Sequence, residues 1–248
     1  MAKKRKSLLR KALTFLLEAA GVFVVFTVLW VLVLKWLPVT RTPLMLHQKH
    51  EFREDKDFRV RCEWCDLDDI SPYLKKAVVT TEDNLFFKHH GFSLNAIKEA
   101  YKANKEKGKV VRGGSTISQQ TAKNVFLPPS RTMVRKAFEA YFTVLIEWIW
   151  GKERIMEVYL NVAEFGKGVY GAEAAAQYHF GKHASQLTRL EACRLAVVLP
   201  KPRARSASHP SAYVQQRAET ISKRLNQISY PDWVTNPGKK EEKQPRKK

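Results

Sequence analysis

The feature that most limits what this chain can become lies near its start. From Ala12 to Leu34 run twenty-three residues with a single charge, Glu18. As a helix the run is about 35 Å long, enough to cross a hydrocarbon layer of about 30 Å. Its far end carries Trp30, Lys35, Trp36, Leu37 and Pro38. That is an interfacial aromatic belt, not the small-residue site at which a signal peptide is cut. A helix buried in a soluble protein would usually show a polar face, and this one is apolar all round. Residues 12–36 are therefore expected to form one transmembrane helix. Lys3, Lys4, Arg5, Lys6, Arg10 and Lys11 precede it. By the positive-inside rule the basic segment 1–11 is cytoplasmic and everything after residue 36 is extracytoplasmic.

Net charge is +20 over 248 residues. Six of those charges sit in residues 1–11, and residues 239–248 hold six basic and two acidic side chains, so about half of the excess falls on the body. A cationic body favours phospholipid headgroups, nucleic acid or a phosphorylated substrate. Placement outside the cytoplasm argues against nucleic acid. Three cysteines follow the anchor, Cys62, Cys65 and Cys193. A lone CxxC with no second pair does not make a metal site, and a structural or incidental role is the better reading.

Residues 37–60 are polar and irregular and read as a stalk, residues 61–236 as the globular domain, and residues 237–248 as a basic disordered tail. Inside the domain the signals are helical. Ser71-Pro72 opens a helix to about Asp83, and Ser93 caps another, with Leu94, Ile97 and Tyr101 on one side, that stops near Gly108. Gly113-Gly114-Ser115 opens a third. Arg131 to Trp150 shows the strongest periodicity, with Met133, Val134, Ala137, Phe138, Tyr141, Phe142, Leu145 and Ile146 predicting a broad core-facing stripe. Thr188 and Glu191 form a capping box before a helix ending near Pro200, and a last helix fits Ser211 to Ile228. No hairpin or alternating strand stands out, so the domain is expected to be all-α or nearly so.

Four clusters could carry chemistry. In Glu82-Asp83-Asn84-Leu85-Phe86-Phe87-Lys88-His89-His90-Gly91, adjacent carboxylates at a helix end are often plain surface. If they face a cleft, burial and the neighbouring Asp83 would raise the pKa of Glu82 and suit it to acid or base work. His89 reads as a hydrogen-bonded brace. In Gly113 to Asn124 (GGSTISQQTAKN), paired glycines before a hydroxyl-rich helix start allow close approach to an anion, and Thr116, Gln120, Lys123 and Asn124 fall roughly on one face. No nucleotide P-loop occurs. Arg135 and Glu139 are spaced for an ordinary surface ion pair. Alternatively, Arg135 and Lys136 join Lys123 in a cationic pocket fit for a diphosphate. In Lys152 to Lys182, Gly166, Gly168 and Gly171 with Asn161 suggest a tightly turned loop and close helix packing, mostly scaffold.

These segments in this order, EDNLFFKHHG, GGSTISQQTAKN, RKAFE, KERIMEVYLN and GVYGAEAAAQYHFGK, with LTRLEACRLAVVLPKP after them, closely resemble the monofunctional biosynthetic peptidoglycan transglycosylases. The same domain is the glycosyltransferase half of class A penicillin-binding proteins. The resemblance covers nearly all of residues 67–202. It implies a mainly α, lysozyme-like glycosyltransferase domain behind a single N-terminal transmembrane helix in the cytoplasmic (inner) membrane. It further implies polymerisation of lipid II into β-1,4 glycan strands. Carried across, it makes Glu82 the base for the acceptor 4-hydroxyl, with Asp83, Phe86, His89 and Gly91 completing that motif. Ser115, Thr116, Gln120, Lys123 and Asn124 match the donor side. Lys123 and Arg135, with Lys136 adding charge, would hold the diphosphate. Glu139 is the second carboxylate, assisting the leaving group directly or through a divalent cation, Mg or Mn; no cofactor is obligatory. Implied partners are lipid II, the growing lipid-linked strand, the membrane, and penicillin-binding proteins or divisome components.

The sequence contains no S-x-x-K, so transpeptidation is not expected. The basic stretch Lys102–Arg112 reads equally as a mobile cover for the donor site and as a solvated loop. Two rivals remain at this point. A lytic transglycosylase or muramidase would share the fold and the glutamate but would not need the clustered cations. A membrane-tethered scaffold binding anionic lipid or cell-wall synthesis partners would not need Glu82.

Overall fold

The computed structural model describes residues 2–106, 108 and 113–235, and the chain divides into two units, residues 1–37 and 38–248. The first is helix α1 (Ala2–Val33), whose stretch Arg10–Val33 has a mean hydropathy of 2.5. Leu13, Phe15, Leu16, Leu17, Val22 and Phe26 lie open on its surface. The hydroxyls of Thr14 and Thr27 donate to the carbonyls of Arg10 and Phe23, so these polar atoms are satisfied within the helix, as a lipid environment requires. The helix ends at Val33, three residues short of the expected 36. Length and composition fit a single-pass anchor.

The second unit begins with a correction. The segment expected to be an irregular stalk contains helix α2 (Pro43–Glu51), started by Thr42, whose side chain accepts from the Met45 amide, with Pro43 in the first turn. Met45 and Gln48 are buried, and Phe52 and Phe58 pack with ring centroids 4.8 Å apart. Mixed charge disguised a segment that folds onto the domain through a few apolar anchors.

The remaining helices are α3 (Pro72–Glu82), α4 (Leu94–Glu106), α5 (Ile117–Phe126), α6 (Met133–Ile149), α7 (Gly151–Val162), α8 (Ala172–Phe180), α9 (Arg189–Val198), α10 (Ala212–Arg224) and α11 (Asp232–Thr235). One packed group joins α3, α9 and α10 through Leu74, Val78, Leu195, Val198, Val214 and Ile221. The other joins α5, α6 and α7 through Ile117, Phe126, Phe142, Ile146, Ile155 and Met156, with Phe126 and Phe142 stacked at 4.4 Å. Each such side chain contributes about 1.5–3 kcal/mol on burial.

Local signals place most boundaries well, with physical corrections. Ser71 stands before α3, but its hydroxyl donates to the Leu187 carbonyl and does not cap. Thr116, not Gly113 to Ser115, starts α5, in a capping box with Gln119. The stripe of α6 is narrower than expected. Phe142, Leu145 and Ile146 are buried, whereas Met133 and Val134 are exposed, as are Leu94 and Ile97 of α4. Residues 102–106 of the basic stretch belong to α4, while 107, 109–112 and the tail 236–248 lie outside the described residues.

The expectation of an all-α or nearly all-α domain holds, with one small sheet added. Strands β1 (Arg61–Cys62), β2 (Glu164–Gly166) and β3 (Val169–Tyr170) form a small sheet ordered β1-β3-β2. β1 runs parallel to β3, pairing Arg61 with Val169, and β2 runs antiparallel through a turn at Lys167-Gly168. These strands are too short for alternation to register in the sequence. Of the three glycines read as a tight turn, Gly168 and Gly171 adopt left-handed backbone, with φ +73° and +84°, whereas Gly166 does not. A Cβ on Gly171 would lie 2.8 Å from the Asn161 carbonyl oxygen. Gly171→Ala is therefore expected to cost about 2 kcal/mol or more, from backbone strain and from forcing α8 away from α7. Denaturant unfolding checks this, and an unchanged midpoint would contradict the close approach.

Candidate active site

Helix α3 ends on Glu82, and Asp83 follows as its C-terminal cap. The Asp83 carboxylate is buried and accepts the Ile117 backbone N–H at 3.1 Å, the first amide of α5. Its two oxygens lie 3.0 and 2.8 Å from His89 Nε2, and since a carboxylate only accepts, the imidazole N–H belongs there. A negative group at a helix N-terminus also meets the favourable end of the helix dipole. The other end of the loop is fixed too. Thr116 Oγ1 donates to the Gly91 carbonyl at 2.6 Å, and Gly91 has φ +88° with no room for a Cβ, which would fall 2.8 Å from Thr143 Cγ2. Between them Phe86 is wholly buried under Lys152, whose Nζ lies 4.5 Å from the ring centre. Asp83, Phe86, His89 and Gly91 thus turn into the protein and hold the loop from beneath.

Glu82 is oriented differently. It is half-buried, and its Oε2 accepts from Gln120 Nε2 at 3.0 Å. Gln120 Oε1 in turn accepts from the hydroxyl of buried Tyr159 at 3.3 Å. Burial raises the Tyr159 pKa well above the phenolic range, so this hydroxyl stays a donor. The chain of bonds fixes which way the Gln120 amide faces, and hence where Glu82 points. Burial is also the main cause that raises the Glu82 pKa, and Asp83 adds to it. Gln120, Arg205 and Lys123 pull it back down.

Lys123 links this carboxylate to the next cluster. Its side-chain surface meets solvent, yet its ammonium sits in a concave, atom-dense setting, and that burial lowers its pKa. Glu139 and Glu82 both act to raise it, and Arg135 and Lys136 to lower it, so Lys123 lies within the field of both carboxylates. Glu139 is buried and held by Arg135 Nη1 at 2.5 Å and by Lys136 Nζ, which also lies 3.5 Å from Ser115 Oγ. Arg135 Nε is buried with no partner among the described residues. Beside it opens a cavity of about 360 Å³ whose lining combines Lys123, Asn124, Ser130, Arg131 and Arg135 with Leu44, Leu127, Pro128 and Pro129. A lining that mixes cationic and apolar side chains suits an amphiphilic anion. The face expected to unite Thr116, Gln120, Lys123 and Asn124 divides accordingly. Thr116 caps α5, Gln120 serves Glu82, and Lys123 and Asn124 meet the cavity.

Sequence reasoning did not reach Tyr159, Arg205 or the Lys152–Glu147 pair, which only tertiary folding brings near the site. Glu147 Oε1 accepts from Lys152 Nζ at 2.6 Å and from Ser118 Oγ at 2.5 Å, tying α6 and α7 to the first turn of α5. Burial lowers the Lys152 pKa, and Glu147 opposes that. Lys152→Met leaves Glu147 buried without its cation and is expected to cost about 2–3 kcal/mol, the Lys152 head being partly solvated. Lys152→Met with Glu147→Gln should recover part of that loss in thermal or denaturant unfolding. A double variant no more stable than the single one would contradict the pairing.

The fold and site together define a class: a mainly helical enzyme domain in which a desolvated carboxylate is held within the field of clustered cations beside an amphiphilic cavity. The chain belongs to the transglycosylase family, whose model matches residues 48–226, so it is a glycosyl-transferring enzyme with the lysozyme-like helical fold that the resemblance implied. It is 50% identical over 205 residues to the biosynthetic peptidoglycan transglycosylase of Pseudomonas entomophila (strain L48), covering 82% of this chain and 86% of that protein. The Xanthomonas campestris pv. campestris (strain B100) protein of the same description is 46% identical over 230 residues, covering 92% and 93%. The family match begins inside α2, in keeping with that segment's packing onto the domain.

Proposed function

We propose that this chain polymerises lipid II into β-1,4 glycan strands at the outer face of the cytoplasmic membrane, with Glu82 as general base. The observation that carries the reading is the setting of Glu82: desolvated, aimed by Gln120, and close enough to Lys123 to feel its charge. In this reading Glu82 takes the proton of the acceptor 4-hydroxyl, and that oxygen forms the new bond to the donor's anomeric carbon. The bond from that carbon to the diphosphate oxygen breaks on the opposite face, turning an α-linked donor into a β-linked product. Negative charge grows on the departing polyprenyl diphosphate, where Lys123, Arg135 and Lys136 stabilise it more in the transition state than in the ground state.

The cations separate this reading from glycan cleavage, whose uncharged leaving sugar gives them no task. The desolvated glutamate separates it from a scaffold, which has no use for a raised carboxylate pKa. The anchor keeps the enzyme on the surface that holds its lipid-linked substrates, and the six N-terminal cations support a cytoplasmic start by the positive-inside rule. Among the described residues no cluster of three metal-ligating side chains occurs. Both oxygens of Glu139 already meet cations, a donor set that does not suit a divalent ion, and Glu139 acts in this reading through Arg135 and Lys136.

Polymerisation of purified lipid II by the intact protein in detergent tests the proposal beside Glu82→Gln and Lys123→Met. Glu82→Gln should lose about a hundred- to ten-thousandfold in rate. Glu82 must be deprotonated to act, and its pKa is raised. The parent's rate should therefore fall with decreasing pH at values above the ordinary 4.5 of a glutamate. Lys123→Met should lower kcat more than it raises KM. Parental polymerisation by Glu82→Gln, or shortening of preformed strands by the intact protein, would overturn the reading.

A further inference from the structure

After α10 the chain makes a short turn at Leu225–Gln227 and returns across α3 as Ile228–Thr235, ending in α11. The family match stops at residue 226, so this returning segment lies beyond it. Its side chains nevertheless reach the helix and loop that carry Glu82. The Tyr230 hydroxyl is 3.1 Å from Thr80 Oγ1. Thr80 gives its one proton to the Lys76 carbonyl at 2.8 Å, so Tyr230 is the donor in that pair. The rings of Tyr230 and Trp233 both meet Phe87 edge-on, with centroids 6.2 and 5.7 Å away. Phe87 meets buried Phe86 edge-on at 5.2 Å. Val234 is wholly buried, and so is Lys75, whose Nζ holds the Leu67 carbonyl at 2.9 Å and lies 3.5 Å from the Trp233 carbonyl.

These contacts straddle the reacting carboxylate: Thr80 stands just before Glu82 in the chain, and Phe87 just after. The last turn of α3 needs such support. Helix ends fray, and the hydroxyls of Thr80 and Thr81 both bond back to the carbonyls four residues earlier, a pattern that bends helices and weakens them. Asp83 holds the loop from the α5 side, and the returning segment holds α3 from the opposite end of the sequence. We propose that Tyr230 and Trp233 are positioning residues for Glu82, clamping the last turn of α3 and the Phe86-Phe87 loop so that the carboxylate keeps its place. The inference rests on the reading of Glu82 as base.

The test compares the intact protein with Trp233→Ala, Trp233→Phe, Tyr230→Phe and Glu82→Gln in lipid II polymerisation, with a thermal melt and a pH–rate profile for each. Trp233→Ala should lower kcat about tenfold or more with little change in KM, because a small displacement of a reacting group has a large effect on rate. Its acidic limb should move to lower pH as water reaches Glu82. Trp233→Phe should restore most of the rate, and Tyr230→Phe should lower kcat without lowering the melting temperature. Parental kcat and an unmoved acidic limb in Trp233→Ala and Tyr230→Phe would overturn the proposal. So would a loss of rate that merely follows the loss of folded protein. Glu82→Gln separates the two readings. Activity retained there removes the base itself, whereas an inactive Glu82→Gln beside fully active Trp233→Ala and Tyr230→Phe removes only the clamp.

Discussion

The Asp83 carboxylate joins two stretches of chain more than thirty residues apart, taking the first amide of α5 and the His89 ring on its two oxygens. Most of the site depends on that junction. It seats the loop 83–91 on the start of α5, so Gln120 on α5 comes within hydrogen-bonding distance of Glu82 at the end of α3. Buried hydrogen bonds to a charged group are worth about 1.5–3 kcal/mol each, and leaving one partner unmet costs at least as much. The junction therefore fixes the end of α3 relative to the start of α5. Thr116 on the Gly91 carbonyl and Lys152 over Phe86 secure the same loop at two further points.

The two glutamates then differ by surroundings alone. Glu139 is buried but met on both oxygens by cations, so its charge is compensated in place. Glu82 receives one amide hydrogen bond and only distant cationic help, so burial dominates and favours its protonated form. In the proposed reaction Glu82 takes the proton, while Glu139 fixes Arg135 and Lys136 beside the cavity.

Much of this was legible from the sequence, for identifiable reasons. Thr188 with Glu191, Ser211, and the Gly168 and Gly171 turn are local signals that hold whatever surrounds them, and the structure keeps each. Elements whose stability comes from distant partners were not legible. Helix α2 hides in a mixed-charge run, and the three strands are too short to alternate. Met133 and Val134 fit the α6 period but lie past the edge of the core. The same division applies to the site. Glu82, Lys123 and Arg135 stand in quotable motifs, whereas Tyr159, Arg205, Tyr230 and Trp233 come close to Glu82 or its supports only through packing.

Glu82 is a desolvated carboxylate whose pKa is raised mainly by burial. A carbon-13 NMR titration of its side-chain carboxyl in the intact protein in detergent micelles, assigned by loss of the signal in Glu82→Gln, tests it directly. Burial of Glu82 predicts a midpoint above the ordinary 4.5. A midpoint at or below that value would contradict it, because the nearby cations would then outweigh burial.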